Sequence, residues 1–326
     1  MKAIALLSGG LDSQLAICVI KNLGIEVEAV NFKTPFFGGG MKISEACDKL
    51  GVPLNTFDVS DEYMEILRHP QHGFGKNHNP CIDCHGFMLR KTGDYMKQAG
   101  ANFMITGEVL GQRPMSQNRS SLDVVEKLSG YKGLVLRPLC AKHLRPTIPE
   151  MEGWVNRDDL LDIRGRTRTR QMELAEHYGV IDYPSPAGGC LLTVENFSQR
   201  LFRLFEMKPD TVASETELLK YGRHFIFDSR SILAVGRKHS ENEALISVAI
   251  EGDYLLKVAT HPGPTSLLRS FGPVQKSDIE QAARITARYS DAHDKPTASV
   301  KVWQPGQTES FMEVEPMDKD SMPLPV

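Results

Sequence analysis

The stretch ALLSGGLDSQLA, residues 5–16, joins an apolar segment directly to two glycines, two serines and an aspartate. Adjacent glycines allow a sharp turn that brings backbone N–H groups against an anion, and a helix starting there adds its positive N-terminal end. The serine hydroxyls can donate hydrogen bonds, and the aspartate can orient a hydrated Mg²⁺ ion. The stretch therefore predicts a pyrophosphate-binding loop, with a tight turn capped by Ser and Asp as the ordinary alternative. The predicted loop residues are Ser8, Gly9, Gly10, Asp12 and Ser13.

Outward from this loop, short apolar runs alternate with helix-like stretches. The strand-like runs are KAIALL (2–7), EVEAVNF (26–32), LNTFDV (54–59), ANFMIT (101–106) and GLVLRPL (133–139). Helical spacing marks DSQLAICVIKNLG (12–24), SEACDKLG (44–51) and GFMLRKTGDYMKQAG (86–100). Buried strands separated by helices predict an α/β fold with a doubly wound parallel sheet. Ligands bind such a sheet at the carboxyl ends of its strands, where the loops after residues 7, 106 and 139 are expected to converge.

Composition narrows the class of protein. The chain has 326 residues, of which 41% are hydrophobic, so it is long enough for two domains with proper cores. The net charge of −3 means that a nucleic acid would be held by a local basic surface. Because the sequence has neither a signal-peptide pattern nor an apolar run of membrane-spanning length, we expect a cytoplasmic protein without a membrane partner.

After about Ser214 the sequence pattern changes to segments in which apolar and polar residues alternate, as is typical of antiparallel strands. We therefore predict an α/β domain over residues 1–205 and a second, smaller α+β domain over residues 214–305. The acidic segment 306–326 is expected to be a disordered tail.

The hexapeptide SGGLDS, residues 8–13, resembles the PP-loop signature of the N-type ATP pyrophosphatases, and the lysine of a Walker A loop is missing. These enzymes split ATP between the α and β phosphates and attach AMP to an oxygen of their substrate. The resemblance implies a Rossmann-like PP-loop domain that uses ATP and Mg²⁺.

A second motif, ITGEVLGQRPMSQ over residues 105–117, is similar to the TGE-x-LGQ-x-x-SQ segment of the tRNA 4-thiouridine synthases, and Arg113 and Pro114 depart from its usual small residues. The matching positions are Gly107, Glu108, Gly111, Gln112, Ser116 and Gln117. The resemblance implies that Gly107 and Gln112, together with Phe32, bind the nucleotide. It also implies catalytic roles for Asp12 and Glu108.

A third motif, NPCIDCHGFML over residues 79–89, resembles the NPC-x-x-CN segment of the 2-thiouridylases, with His85 in place of Asn. Cys190 in SPAGGCLLT, residues 185–193, lies where PP-loop thiolation enzymes keep a distal cysteine. In a persulfide mechanism Cys190 carries the sulfur and Cys81 forms a disulfide with it to release the product. In a cluster mechanism Cys81, Cys84 and Cys190 bind three irons of a 4Fe-4S cluster. We favour the cluster because a Cys-x-x-Cys pair with one distant cysteine matches a three-thiolate pattern, and zinc is a third alternative.

The other three cysteines, Cys18, Cys47 and Cys140, are predicted to be small core hydrophobes, because two lie in amphipathic helices and one ends a strand.

RNA contacts are predicted in two regions. In NRDDLLDIRGRTRTRQ, residues 156–171, the alternating Arg164, Arg166, Arg168 and Arg170 suit phosphate binding, and a solvated helix entrance is the alternative. The segment THPGPTSLLR, residues 260–269, is similar to the RNA-associated C-terminal domain of the NFACT proteins. If that resemblance holds, the candidate backbone contacts are Arg223, Arg237, Lys238, His261 and Arg269.

Together these resemblances imply an ATP-dependent tRNA sulfurtransferase that adenylates a uridine carbonyl oxygen and replaces AMP with sulfur. The expected partners are tRNA and a sulfur donor, either hydrosulfide or a sulfur carrier, and the choice between monomer and homodimer stays open. One alternative is a small-molecule synthetase of the 7-cyano-7-deazaguanine synthase type, which carries a four-cysteine zinc set near its end, whereas no cysteine follows Cys190 here. The other is a non-catalytic RNA-binding protein that retains the ATP fold.

Overall fold

The structure is a computed structural model that describes residues 1–113, 115–183 and 189–326. It divides the chain into two units, Met1–Thr193 and Val194–Val326. Two residues of the predicted motifs lie outside the described residues: Pro114, and Gly188, the first glycine of the pair before Cys190.

The first unit contains a parallel sheet of five strands in the order β3-β2-β1-β4-β5. The strands are β1 (Lys2–Leu6), β2 (Glu26–Lys33), β3 (Leu54–Asp58), β4 (Phe103–Thr106) and β5 (Val135–Leu136). Since the first strand lies in the middle and the chain winds outward in both directions, the predicted doubly wound sheet is confirmed.

Helices cover both faces of this sheet and explain why its strands are apolar on both sides. They are α1 (Leu11–Asn22), α2 (Met41–Leu50), α3 (Ser60–Arg68), α4 (Cys81–Gln98), α5 (Arg119–Ser129), α6 (Ile148–Met151) and α7 (Thr169–Tyr178). Leu15 of α1 and Ala175 of α7 lie in the core on one face. Leu89 of α4 and Val125 of α5 lie in the core on the other.

Gly107 allows the end of β4 to approach the start of α1. A Cβ atom at this position would lie 2.4 Å from the carbonyl carbon of Asp12 and from the backbone nitrogen of Ser13. Because both are backbone atoms that cannot move aside, only glycine fits here. The contact brings the two loops that carry the predicted nucleotide motifs together.

The second unit is built on a six-stranded antiparallel sheet in the order β11-β10-β8-β9-β7-β6. Its strands are β6 (Arg223–Phe227), β7 (Ser231–Val235), β8 (Tyr254–Val258), β9 (Thr265–Ser270), β10 (Ala298–Trp303) and β11 (Ser310–Val314). Its helices are α8 (Glu195–Met207), α9 (His239–Ser247) and α10 (Lys276–Arg288). Apolar side chains of α10 and of one face of the sheet form its core. The predicted second α+β domain is therefore confirmed as a fold class.

Two details of the predicted organisation differ from the structure. The segment expected to be a disordered tail contains β11, which pairs with β10 and buries Val314 and Met317 in the core. Burial of these apolar side chains outweighs the acidic composition, since Glu309 and Glu313 remain exposed. Helix α8, expected in the first domain, belongs to the second unit, where Arg200 donates hydrogen bonds to the carbonyl oxygens of Val326 (2.8 Å) and Leu219 (3.2 Å).

Across the described part of the chain, no helix combines the length and the apolar composition that crossing a membrane requires.

Candidate nucleotide and thiol site

The loop between β1 and α1 has the shape expected of an anion-binding turn. Gly9 has a φ of +79°, in the left-handed region that favours glycine, and a Cβ atom there would lie 2.9 Å from the Cγ1 atom of Ile43. Gly10 is the N-cap of α1 and has no side chain, so the N–H groups of the first turn remain available to a ligand. Ser13 Oγ donates to the carbonyl oxygen of Gly10 (2.8 Å) and lies 3.3 Å from Ser8 Oγ. These contacts of Ser8 and Ser13 stabilise the turn.

Asp12 is held at one carboxylate oxygen only. Its Oδ2 atom accepts a 3.0 Å hydrogen bond from Gln112 Nε2 and lies 3.9 Å from Arg168 Nη2. Its Oδ1 atom is buried and has no hydrogen-bond partner among the described residues. Buried polar atoms are almost always paired, and Mg²⁺ typically binds through one or two carboxylates plus substrate phosphates. The orphaned oxygen therefore fits Mg²⁺ bound between Asp12 and a nucleotide.

Other buried polar atoms of the first unit also lack partners within the described residues. They are Gln117 Oε1, Arg168 Nε and both amide atoms of Gln171. Gln117 belongs to the loop of Gln112, because its carbonyl oxygen accepts from Gly111 N at 2.7 Å. Arg168 and Gln171 lie at the start of α7, which packs against α1. The unpaired Arg168 Nε belongs to a side chain whose Nη2 lies 3.9 Å from Asp12 Oδ2, and an unpaired charged donor at this place fits a polar ligand.

The four predicted RNA-binding arginines do not act together. Arg164, Arg166 and Arg170 are exposed, and Arg170 pairs with Glu173 at 3.1 Å. The side chain of Arg168 is only 18% exposed and faces Asp12. Arg168 therefore belongs to the nucleotide site, a correction to the predicted set. The sequence missed it because alternating arginines look alike until the helix that follows fixes which side each one faces. The sequence also missed Gln171, because the side that this residue faces depends on the packing of α7.

Glu108, predicted to be catalytic, lies in a buried ion-pair network. It accepts hydrogen bonds from His85 Nδ1 (2.9 Å), Arg137 Nε (2.9 Å) and Thr106 Oγ1 (3.2 Å). Burial alone would raise its pKa, but Arg137 and His85 outweigh this and lower the pKa of Glu108 to about 2. A carboxylate fixed in this way positions the end of β4 and the first turn of α4. The network gives Glu108 a positioning role, and its catalytic role stays a prediction.

Phe32, predicted to contact the nucleotide, has its side chain in the core. Its ring is 3% exposed, and its centroid lies 6.0 Å from that of Phe57. The ring therefore packs the sheet against its helices, and only the backbone of this residue lies at the strand end.

The structure brings Cys81, Cys84 and Cys190 into one neighbourhood. Cys81 begins α4 and accepts a 2.9 Å hydrogen bond at Sγ from Asn79 Nδ2. Cys84 is 8% exposed and is hydrogen-bonded to the Tyr63 hydroxyl. Burial is the main reason that the pKa of Cys84 is raised, and the charges of Cys190 and Cys81 raise it further. Asn77 Nδ2 donates a 2.7 Å hydrogen bond to the carbonyl oxygen of Thr193, which holds the segment before Cys81 against the segment of Cys190.

Cys190 also lies near the loop after β4, which contains Gln112 and Arg113. Burial raises the pKa of Cys190 to about 11, and the charge of Arg113 opposes this shift. Arg113 directly follows Gln112, the partner of Asp12. Leu191 N, next to Cys190, donates to the carbonyl oxygen of Phe36 at 2.9 Å, so Cys190 lies beside the loop that follows β2 at the carboxyl edge of the sheet.

The thiols do not fit the cluster that the sequence favoured. In residues 1–113, 115–183 and 189–326, no group of three or more His, Cys, Asp or Glu side chains is arranged to hold a metal ion. Cys84 is buried against Tyr63, so its thiol is directed to a protein partner. No reaction step is therefore derived through an iron–sulfur cluster.

The remaining cysteines behave as predicted. Cys47 and Cys140 are buried, and Cys18 is half-buried against the first core. Burial raises the pKa of both Cys47 and Cys140 to about 11. Both thiols pack in the core as small apolar side chains.

In the second unit, two of the candidate RNA-contacting arginines are committed to carboxylates. The side chain of Arg269 is 3% exposed and donates to both oxygens of Asp253 at 2.9 and 2.7 Å. Arg237 pairs with Glu241 at 2.6 Å. Arg269 is therefore structural, a correction to the predicted set, because a buried bidentate pair cannot open without leaving both charges unpaired.

Comparison with known protein families divides the chain as the two units do. Residues 1–145 match the family described as thiamine biosynthesis protein (ThiI), and residues 222–323 match the NFACT protein RNA binding domain.

Similar individual proteins include two tRNA-specific 2-thiouridylases. MnmA 1 of Fusobacterium nucleatum is 30% identical over 105 residues, which cover 31% of this chain and 29% of that protein. MnmA of Francisella tularensis subsp. novicida is 22% identical over 302 residues, which cover 85% of this chain and 80% of that protein. The matches to the first four such relatives span only 29 to 37% of their lengths.

Among solved structures, a 4-thiouridine synthetase–RNA complex with bound ATP is 24% identical, with a TM-score of 0.39, over 55% of this chain and 40% of that chain. The family matches confirm the resemblance that the motifs predicted, to PP-loop tRNA thiolation enzymes in the first unit and to the NFACT RNA-binding domain in the second.

Proposed function

We propose that the protein is an ATP-dependent tRNA sulfurtransferase, which adenylates a uridine carbonyl oxygen in tRNA and replaces the AMP with sulfur. One observation carries the proposal. Gln112 contacts Asp12 of the pyrophosphate loop after β1, while Leu191 N, next to Cys190, donates a 2.9 Å hydrogen bond to the carbonyl oxygen of Phe36, just after the neighbouring strand β2. A site for splitting ATP and a site for sulfur chemistry therefore lie side by side.

In the adenylation step, the uridine oxygen attacks the α-phosphorus of ATP and pyrophosphate leaves. Backbone N–H groups at the start of α1 bind the departing phosphates, and Arg168 adds a fixed positive charge beside Asp12. Mg²⁺ held by Asp12 supplies further neutralisation of the pyrophosphate charge. Gln112 keeps the Asp12 carboxylate in one orientation.

For the sulfur step we infer a persulfide route through Cys190 and Cys81. A persulfide-bearing donor transfers one sulfur atom to the Cys190 thiol, and the terminal sulfur displaces AMP from the activated carbon. The Cys81 thiolate then attacks the Cys190 sulfur, which forms a disulfide and leaves the new sulfur on the base. A thiol reductant supplies two electrons and restores both cysteines. The hydrogen bond between Cys84 and Tyr63 supports a structural role for the third thiol.

The substrate class rests on the comparisons. Similar proteins are named as tRNA-specific 2-thiouridylases, and residues 222–323 match an RNA-binding domain. These names support a tRNA uridine as the acceptor.

The test is tRNA-dependent release of labelled pyrophosphate from ATP, together with mass spectrometry of the tRNA nucleosides. We expect release that depends on unmodified tRNA, and a thiouridine that appears only when ATP and a sulfur donor are both present. Release without tRNA but with a small molecule would instead indicate a small-molecule synthetase. ATP-independent tRNA binding without release would indicate a non-catalytic RNA-binding protein.

A further inference from the structure

In the second unit, the outer sides of β8, β10 and β11 form an exposed sheet surface. Side chains alternate along a strand, and Val300 and Val302 of β10 lie in the core with α10. Lys301 and Trp303 of the same strand therefore point to the opposite face, where both are partly exposed. Toward β11 this face presents polar and aromatic side chains, while Leu255 of β8, opposite Trp303, is buried.

The strand register gathers four of these side chains. Lys301 lies opposite Phe311 of β11 on one side and opposite Lys257 of β8 on the other. Its Nζ atom lies 4.7 Å from the centroid of the Trp303 ring. We call this surface the lysine–aromatic face and define it by Lys257, Lys301, Trp303 and Phe311.

Phe311 is the residue that calls for an explanation. Its side chain is 64% exposed, and it lies on an edge strand of the sheet. An exposed aromatic ring on an edge strand invites aggregation, so such a ring commonly marks a binding site. A ring flanked by lysines matches the way proteins bind unpaired nucleic acid, with bases stacked on the ring and phosphates at the cations.

The acidic neighbours do not block this face. Glu309 pairs with Lys301 Nζ at 2.8 Å, but both side chains are partly or largely exposed. Exposed ion pairs contribute little free energy, so a phosphate can replace the Glu309 carboxylate. Glu313 lies on the same face opposite Ser299, which precedes Lys301 by two residues in β10.

We propose that the lysine–aromatic face binds an unpaired stretch of RNA, with a base stacked on Phe311 and phosphates at Lys257 and Lys301. The proposal rests on the proposed function in taking RNA as the ligand, and it adds a specific surface to the general RNA-binding match of residues 222–323. The match of residues 222–323 to an RNA-binding domain favours RNA over a second copy of the chain as the occupant of this face.

The test uses the full chain, a fluorescein-labelled oligouridine and tRNA. Stacking on an aromatic ring is worth about 1–3 kcal/mol, so we expect Phe311→Ala to weaken oligouridine binding about tenfold. Phe311→Leu should weaken it similarly, because leucine keeps the apolar bulk without the ring, and Phe311→Tyr should preserve it. Lys257→Ala and Lys301→Ala should each reduce the salt dependence of log K by about 0.7, as expected for one lost phosphate contact to a single strand.

Lys276→Ala is the matched control, since Lys276 is an exposed lysine at the start of α10 and outside this face. It should leave both affinity and salt dependence unchanged. If wild-type protein binds oligouridine and Phe311→Ala or Phe311→Leu binds equally well, the face is not a stacking site. If Phe311→Ala changes the sedimentation coefficient but not the affinity, it is an interface between copies, which also overturns the proposal. Failure of wild-type protein to bind any RNA or to release pyrophosphate with tRNA would instead remove the proposed function on which the inference rests.

Discussion

Gln112 donates a 3.0 Å hydrogen bond from its side-chain amide to Asp12, although 100 positions of sequence separate the two residues. The bond joins the loop after β1 to the loop after β4 at the carboxyl edge of the sheet. It occupies Oδ2 of Asp12 and leaves the buried Oδ1 without a partner among the described residues. A carboxylate held in this way is oriented for a cation before any nucleotide arrives.

Asp12→Ala should abolish ATP splitting and leave the fold intact. Loss of an electrostatic group that acts on the leaving pyrophosphate typically costs about 100-fold or more in rate. Asp12 is partly exposed, so the free energy of unfolding should change little. The matched control is Asp61→Ala, which removes an exposed aspartate from the same second position of α3. Near-normal tRNA-dependent pyrophosphate release by Asp12→Ala would refute the assigned loop.

Arg168→Ala and Arg166→Ala should separate two functions within one arginine-rich segment. Arg168 faces Asp12, so its loss should lower kcat/KM for ATP about tenfold or more. Arg166 is exposed, so its loss should leave ATP kinetics unchanged and affect at most tRNA affinity. Steady-state pyrophosphate release at varied ATP and tRNA measures both. Identical effects of the two substitutions would contradict the separation.

Serine substitutions of the three thiols should distinguish persulfide from cluster chemistry. By the persulfide route, Cys81→Ser and Cys190→Ser lose thiolation but keep pyrophosphate release. Cys84→Ser stays active, because serine can still hydrogen-bond to Tyr63. In a cluster enzyme all three substitutions lose activity, and anaerobic wild-type protein is brown with about four irons per chain. Iron content and thiouridine yield, measured on the same preparations, decide between them.

Glu108→Gln should destabilise the first unit by about 3 kcal/mol, because it leaves the buried Arg137 charge poorly compensated. The folded-state pKa of about 2 lies below the ordinary value of 4.5, so this stabilisation is fully present above pH 4.5 and is lost as the pH falls toward 2. Urea unfolding should therefore show a large difference from wild type at pH 7 and a smaller one at pH 3. Glu173→Gln, which removes an exposed ion pair with Arg170, is the control and should cost less than about 0.5 kcal/mol.

His224 should make the second unit sensitive to mild acid. Burial, assisted by the charge of Arg200, lowers the pKa of His224 from 6.5 to about 3. The unfolded chain therefore binds a proton that the folded chain excludes, and stability is lost as the pH falls from about 6.5 toward 3. His224→Gln can still donate to the Leu218 carbonyl oxygen and should flatten this dependence. In a Trp154→Phe background, unfolding followed by the fluorescence of Trp303 between pH 5 and 7.5 reports on the second unit, and an unchanged slope in the variant would contradict the assignment.

The sequence by itself determined the features that a few neighbouring residues encode. Two glycines beside Asp12 specify a sharp turn, and continuous apolar runs between helices specify a parallel sheet. From these two features the position of the nucleotide loop at a strand end followed directly. Burial of Cys47 and Cys140 followed from the apolar pattern around them.

Only the tertiary structure decided which distant side chains meet. Alternating arginines gave no sign that Arg168 alone turns toward Asp12, since that depends on how α7 packs against α1. The acidic composition of residues 306–326 predicted a disordered tail instead of β11, because β11 depends on pairing with β10 and on burial of Val314, which are long-range contacts. The motif spacing suggested three metal ligands, whereas metal binding requires thiolates placed within fractions of an ångström. Local propensity acts over one turn or one strand, but the geometry of a site is set by the packing of the whole sheet.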